Sequence, residues 1–517
     1  MDSQKNPPSE AESAERSSKL QEDLDALGPA FLATHEEGRR YWFLLLMSLV
    51  VAAIMGVVSS ATTNLIAYGL DLWRGNIYHD HETSASLEFF TGKIWFIAVV
   101  FGGGLTNGLI QAVPFFNYPR RLHCLYAEVR SADGVPGAPA ILLANSLGLA
   151  LGGSAGPEAA AAAAGGEAAS FLYDNRFVRK HSLVVEEDKR LFIMVGMAVG
   201  IGSILPTPVV AVALIYELFA LSFPKNLAPA TDSSYVYLKY VVCAGIGSIF
   251  SYAITAGIGT VSSANNLGDE WSMKLETIDG IFSDWAPAKG ALLGVIGGTL
   301  GTLFVVLTAV CNKAASKLSS CLDRLKTPVP KLGKILTPAI GGLLVGAIAW
   351  IVPGSTGTGE AGMIFLSQSE LAGQYDAVLF VATGFGKLVA LSICLGFGWT
   401  GGMIYPLLFI GSSIGAGIST ASGWNRLMCM SSLSASLMAS HMPAPFAFWA
   451  VSTTVFRAGI GTSYATFIAI IVAILLGDAI GTKQKLMLRL AVKHQKGKRT
   501  VFLNFTAGDD DSDEGDE

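Results

Sequence analysis

The sequence predicts an all-α, polytopic membrane protein, and three observations support that prediction. Hydrophobic residues make up 51% of the 517 residues and charged residues only 15%, whereas soluble domains carry about 25% charged residues. The mean hydropathy is +0.49. The 58 glycines exceed the usual share of about 7% and lie among apolar residues, as in closely packed membrane helices. Composition therefore excludes a set of soluble globular domains.

Charge and cysteine content exclude several other classes of protein. The net charge of −5 gives no reason to expect nucleic acid as a partner. The six cysteines form no CxxC pair and have no metal-ligand spacing, so neither a disulfide framework nor a metal site is expected. The apolar body contains no Ser/His/Asp, HExxH or Walker-type spacing, so an enzyme is not predicted and no cofactor is expected.

Composition divides the chain into three regions. Residues 1–40 form a polar tail with one short helix near 20–27, residues 41–482 form the membrane domain, and residues 483–517 form a basic and then acidic tail. The loop 313–334 and the segment 483–499 are rich in Lys and Arg, which places both on the cytoplasmic side. We therefore expect both termini to be cytoplasmic, in a plasma or an intracellular membrane.

The membrane domain contains apolar runs of uneven length. Runs long enough to cross about 30 Å of hydrocarbon begin near residues 41, 94, 235, 290 and 377. Shorter or broken runs occupy 137–152, 157–173, 191–204, 208–222, 338–352, 403–420, 426–441, 445–456 and 464–480. Helices that stop partway across a bilayer need protein, water or a bound ion to satisfy their backbone groups.

Glycine and proline interrupt the apolar runs at 132–136, 152–158 and 401–406. Proline is favoured in the first turn of a helix, and glycine lets the backbone bend and be approached closely. The free amides and the macrodipole of a helix N-terminus attract anions without using a full charge. These breaks predict an anion site inside the bilayer; the alternative is that they are kinks that only help the helices to pack.

Four further segments bear on the family. The stretch Leu379 to Ser413 leads through the 401–406 break into an apolar helix, Ser355 to Glu360 is a glycine-rich turn, Pro206 to Glu217 ends in a glutamate, and Thr454 to Ala458 is a short basic break. Together with the three breaks, they resemble the CLC family of chloride channels and proton-coupled anion exchangers, whose motifs are GSGIP, GxxGP and GxFxP.

The resemblance covers about 41–482 and carries expectations for fold and partners. It implies two inverted repeats, about 41–222 and 235–482, in a homodimer within the lipid bilayer, with one pathway for small inorganic anions in each subunit. Because few residues follow the membrane domain, the family's CBS pair is not expected. The anion-binding residues that it implies are Asp133, Gly134, Val135, Gly153, Ser154, Ala155, Gly156, Gly402, Met403, Ile404 and Tyr405.

Two departures from the family pattern favour passive conduction. Ala155 stands where the family places its gating glutamate, and Leu218 stands where exchangers place the internal proton-transfer glutamate. A carboxylate at the first position competes with the anion and carries a proton, and a methyl group does neither. The pattern favours the nearby Glu158 as an acid that stabilises a helix N-terminus; the alternative is that it replaces the missing gate.

Three other ionisable residues have open roles. Asp133 lies at the position of the family's central serine. Either it caps a helix, or the motif is misaligned, or the anion selectivity differs from that of the family. Glu217 is either structural or a proton carrier. Lys387, inside an apolar run, is a functional candidate by position. It either draws anions to the pathway, or it snorkels, pairs with a carboxylate such as Glu217 or lies near the helix end.

The sequence thus predicts a passive anion channel, with chloride as the default ion and backbone amides as its ligands. The candidates for gating or proton transfer are Ala155, Glu158, Glu217, Leu218 and Lys387. Two alternatives stay open: a proton-coupled anion exchanger with substituted glutamates, and a membrane scaffold that conducts nothing.

Overall fold

The computed structural model describes residues 10–74, 93–113, 137–180, 188–205, 207–220, 233–259, 285–325, 331–367, 376–442 and 444–480. Over these ranges the chain is helical, and its extended pairing is a single bridge between Gly156 and Gly402. The predicted all-α fold is confirmed. Seven of the described helices are long and apolar enough to cross a membrane.

The helices of the first half are uneven in length, as the sequence predicts. They are α1 Glu10–Arg74, α2 Phe96–Ala112, α3 Ala138–Ala150, α4 Glu158–Asp174, α5 Arg176–Arg179, α6 Asp188–Gly202, α7 Pro208–Ala220 and α8 Ser233–Gly259. The short helix expected near 20–27 lies within the continuous α1. Its 65 residues include the membrane span Gly38–Trp73.

The helices of the second half follow the same pattern. They are α9 Ala286–Arg324, α10 Leu332–Ile351, α11 Glu360–Ser367, α12 Ala377–Gly396, α13 Ile404–Ser422, α14 Arg426–Ala439, α15 Pro445–Val455 and α16 Ile460–Ala479, with a 3-10 turn at Pro353–Ser355. Helix α10 begins at Leu332 and not at the predicted 338, and it contains Pro338. The carbonyl of Pro338 accepts a 2.8 Å hydrogen bond from the indole of Trp399.

Glycines bring several helix backbones into close contact. Gly165 of α4 faces Gly196 of α6, where a Cβ on either residue would overlap the other's carbonyl oxygen. Gly290 and Gly294 of α9 lie in the same way against the backbone of α16. Small residues at crossing points are typical of membrane helix packing, so part of the glycine excess serves the fold.

The core of the molecule surrounds α13. This helix packs between α12 and α14, and its first thirteen residues, Ile404 to Ala416, are buried. Helix α11 packs on it as well. The loop before α13 meets the loop before α4, and the candidate site lies at that junction.

Candidate anion site

Two broken-helix loops meet at the centre of the structure. Residues 151–157 connect α3 to α4, and residues 397–403 connect α12 to α13. The amide of Gly156 donates to the carbonyl of Gly402 over 2.9 Å, and the amide of Gly402 donates to the carbonyl of Gly156 over 2.6 Å. The two loops therefore run antiparallel, and each delivers a helix N-terminus to the same place.

The carboxylate of Glu158 occupies the N-terminus of α13. Glu158 is the first residue of α4 and is 2% exposed. Its Oε1 accepts a 3.0 Å hydrogen bond from the backbone amide of Tyr405, the second residue of α13. The free amides of a helix N-terminus bind anions, so a side-chain carboxylate of one helix fills the anion position of another.

The second oxygen of this carboxylate differs from the first in its surroundings. Glu158 Oε2 is buried and has no hydrogen-bond partner among the described residues. It lies over Gly156, where a Cβ would overlap it, and a Cβ at Gly402 would be 2.5 Å from the carboxyl carbon. The two glycines thus form the notch that admits the carboxylate, because any side chain there would expel it.

One asparagine side chain forms hydrogen bonds to both loops. Asn145 of α3 is fully buried, and its Nδ2 donates to the carbonyls of Gly156, over 3.2 Å, and Thr400, over 3.1 Å. Asn145 Oδ1 is buried and has no partner among the residues that the structure describes. Asn145 was not among the predicted site residues; its signal in the sequence is a lone amide in the apolar run 137–152.

Ser154 and Ala155 are fully buried, and the Ser154 hydroxyl has no hydrogen-bond partner among the described residues. The Ser154 amide donates to the Cys394 sulfur over 3.3 Å. Ala155 is fully buried in a small apolar cluster with Ile66 and Leu149. A Cβ on Gly401 would overlap the methyl group of Ala155, so there is no free volume at this position.

Tyr405 joins the site to other elements. Its hydroxyl donates to the carbonyl of Ile204, just after α6, over 2.7 Å. The Glu360 carboxyl, at the start of α11, lies within electrostatic range of both Tyr405 and Glu158. Glu360 is partly buried; it was predicted as part of a glycine-rich turn and had no assigned role.

The remaining predicted site residues differ in what they contact. Gly153 packs against the Trp399 ring, Met403 packs against the core, and Ile404 is buried within it. Asp133, Gly134 and Val135 lie outside the described residues. The structure therefore brings together the second and third predicted breaks and gives no geometry for the first.

Glu217 is held away from this junction. Its Oε1 accepts from the Phe446 amide over 3.1 Å, and its Oε2 accepts from the Ala447 amide over 2.9 Å. Both amides belong to the first turn of α15, so this carboxylate caps that helix with both oxygens. The neighbouring Leu218 packs against the apolar core.

Lys387 is fully buried in α12. Its Nζ donates to the carbonyl of Gly357, in the turn between the 3-10 segment and α11. An ammonium group held on a carbonyl anchors that turn, and the turn carries Glu360. This contact is with a backbone carbonyl and not with the Glu217 carboxylate that the sequence suggested as one possible partner.

An all-α membrane domain whose broken helices direct two N-termini to one buried site is typical of an ion transport protein. A family model described as Voltage gated chloride channel matches residues 129–479. The chain belongs to this family, whose proteins are transporters or channels, and it is an integral, multi-pass membrane protein. The CLC fold of short and broken helices, predicted from the sequence, is confirmed.

Individual relatives are distant. A chloride/fluoride channel protein from Pseudomonas syringae pv. tomato is 24% identical over 277 residues, which is 54% of this chain and 53% of that protein. A CLC-type fluoride/proton antiporter of known structure shares 18% identity with a TM-score of 0.60, over 84% of this chain and 95% of that one. A slow cyanobacterial chloride/proton antiporter shares 18% identity with a TM-score of 0.58, over 88% and 99%.

The chain spans little more than half the length of two of its relatives. It spans 53% of the Pseudomonas protein and 58% of an uncharacterized protein from Methanocaldococcus jannaschii, to which it is 26% identical over 279 residues. The two solved structures establish the fold.

Proposed function

We propose that this chain is a proton-coupled anion exchanger in which Glu158 replaces the missing gating glutamate. The observation that carries the proposal is the 3.0 Å hydrogen bond from the Tyr405 amide to the Glu158 carboxylate. The carboxylate sits where an anion would bind, so an anion enters only when the carboxylate leaves. A proton on the carboxylate removes its charge and weakens its hold on the amide, because hydrogen bonds to charged groups are the stronger ones.

A comparison with Glu217 supports a displaceable role for Glu158. Both carboxylates reach across the structure to a helix N-terminus. Glu217 uses both oxygens on two amides, whereas Glu158 has one described hydrogen bond and a free Oε2. Glu217 is therefore fixed as a cap, and Glu158 retains an oxygen that can take a proton without breaking its bond to Tyr405.

A second carboxylate supports proton transfer. The Tyr405 amide donates to Glu158, and the Glu360 carboxyl lies within electrostatic range of Tyr405 and Glu158. Glu158 and Glu360 thus lie near one tyrosine, and this pair takes the place of the two glutamates that the sequence lacks at Ala155 and Leu218.

The passive channel predicted from the sequence is the second candidate. It is favoured by Leu218, which leaves the family's internal proton position apolar, and by the fixed state of Glu217. Chloride is the default ion in both candidates. The names of the relatives divide in the same way, because one is called a chloride/fluoride channel protein and two are called proton antiporters.

A reconstitution experiment separates the two. In liposomes with an outward chloride gradient and no initial pH gradient, the purified protein should move protons inward as chloride leaves, so that the interior becomes acidic. A reversal potential that follows the chloride gradient alone at every pH difference would establish the passive channel. Folded protein that moves no anion under a chloride gradient or a pH gradient would contradict both proposals and favour the scaffold.

The proposal also includes the oligomeric state and the orientation in the membrane. A homodimer with one anion pathway in each subunit is expected from the family resemblance, with both termini on the cytoplasmic side. Cross-linking in native membranes tests the dimer, and protease accessibility of tagged termini tests the orientation. A monomer at all protein concentrations would contradict the first expectation.

A further inference from the structure

We infer that Asn145 is a positioning residue that determines which anions the site accepts. The inference rests on the proposed function in one respect, namely that the transported anion binds at the N-terminus of α13. It concerns a side chain outside the family motifs, on a helix that contributes no ligand of its own.

The geometry joins two distant parts of the chain through one amide. Asn145 Nδ2 donates one hydrogen to Gly156, in the loop before α4, and the other to Thr400, in the loop before α13. Because an amide has two donor hydrogens in a fixed plane, the positions of the two carbonyls are set relative to each other. The bridge between Gly156 and Gly402 lies directly beside this contact.

Burial makes the contact hard to replace. Asn145 is 0% exposed, so water from outside the protein does not compete for these carbonyls. A Cβ on Gly401 would lie 3.2 Å from Asn145 Nδ2, so the amide fits tightly against the second loop. A carboxylate in its place would have no hydrogen to donate and would repel both carbonyls.

Positioning matters because a site of backbone amides distinguishes anions by geometry. Anions of equal charge differ in radius and hydration, and amide donors select among them through spacing and field strength. The Tyr405 amide, which now holds Glu158, lies three residues beyond Gly402. A change in the separation of the two loops moves this donor relative to the start of α4, and therefore changes the preference between small and large anions.

The test measures permeability ratios and not flux alone. The variants are N145D, which removes both donors, and N145L, which is similar in size and apolar. We expect both to change the nitrate-to-chloride permeability ratio by about fivefold, the equivalent of one neutral hydrogen bond. For a variant with low flux, the thermal stabilisation of the purified protein by chloride and by nitrate gives the same preference.

The matched control is N107L. Asn107 is also a fully buried asparagine, but its Nδ2 donates to the carbonyl of Ala144 within α3, over 3.0 Å. Its Oδ1 accepts from the Thr400 hydroxyl at 3.5 Å and from Gln111 Nε2 at 2.6 Å, and its Nδ2 has no described bond to the Gly156 or Thr400 carbonyl. We expect N107L to lower thermal stability and to keep the wild-type permeability ratio.

The outcomes are distinct. If the wild-type protein transports anions and the Asn145 variants keep its permeability ratio while losing stability as N107L does, Asn145 is a packing residue and the inference is wrong. If the wild-type protein transports no anion, the proposed function fails first. If the permeability ratio changes equally in N107L, the change results from general loosening of α3 and not from loss of the two Asn145 hydrogen bonds, and the inference is wrong.

Discussion

Gly156 and Gly402 exchange two backbone hydrogen bonds, of 2.9 and 2.6 Å, and the carboxylate of Glu158 lies against the α-carbons of both. This pairing brings the first turn of α4 and the first turn of α13 to a common point. It also leaves space for a carboxylate and for nothing larger than hydrogen on either glycine. Because the two residues belong to different halves of the chain, the site exists only when both halves are folded together.

The glycine notch makes a first prediction. In G156A the added methyl group overlaps Glu158 Oε2, so the carboxylate should leave the Tyr405 amide. We expect anion flux to rise and its dependence on pH to fall, measured by chloride efflux from liposomes. The control is G102A, since a Cβ at Gly102 meets no atom within 4 Å. Wild-type pH dependence in G156A would show that Glu158 does not need this notch.

Neutralising the carboxylate makes a second prediction. E158Q loses a charge-assisted hydrogen bond, which is worth about 1.5–3 kcal/mol, so a chloride ion competes for the Tyr405 amide more easily. We expect apparent chloride affinity to rise by about tenfold or more and chloride-driven proton movement to disappear. Both are measured in the same liposomes by chloride efflux and by internal pH.

The matched variant for E158Q is E217Q. Glu217 caps α15 with both oxygens, so its neutralisation should cost about 0.5–2 kcal/mol of stability, seen as a lower Tm, and leave proton coupling intact. If E217Q abolishes coupling and E158Q preserves it, the two carboxylates have the opposite roles from those assigned here.

Local sequence features predicted the helices well. The runs predicted at 157–173, 208–222 and 426–441 correspond to Glu158–Asp174, Pro208–Ala220 and Arg426–Ala439. Residues at the helix starts explain this success, because Pro157, Pro208 and the capping Asn425 act within a few residues. The breaks at 152–158 and 401–406 were therefore visible, and they lie at the site.

The contacts within the site could not be predicted from local sequence features. Glu158 was recognised as an alternative gate, but its bond to Tyr405 depends on how two segments far apart in sequence approach each other. Asn145 and Glu360 have no local signal for their partners either. Such contacts are decided by tertiary packing, whereas propensity and spacing describe only neighbours along the chain.

Lys387 gives a third prediction. In K387M the carbonyl of Gly357 loses a buried donor, and a buried unsatisfied acceptor costs about 1–3 kcal/mol. We expect a lower Tm and weaker proton coupling, because the anchored turn carries Glu360. K313M is the control, since Lys313 is exposed on α9 and its removal should change Tm little. An unchanged Tm in K387M would mean that the contact does not anchor the turn.

Substitution of Ala155 gives the last prediction and separates the sequence-based expectation from the structure-based one. From the family motif, A155E should restore a gate and make conduction sensitive to external pH. In the structure Ala155 is 0% exposed, packs with Ile66 and Leu149, and has no free volume beside Gly401. An unpaired carboxylate in such a position is costly, so we expect little folded protein, measured as the monodisperse fraction after detergent extraction, whereas A155S should fold normally. Folded A155E that conducts in a pH-dependent way would instead place residue 155 in the anion pathway, and Glu158 would then be a helix cap.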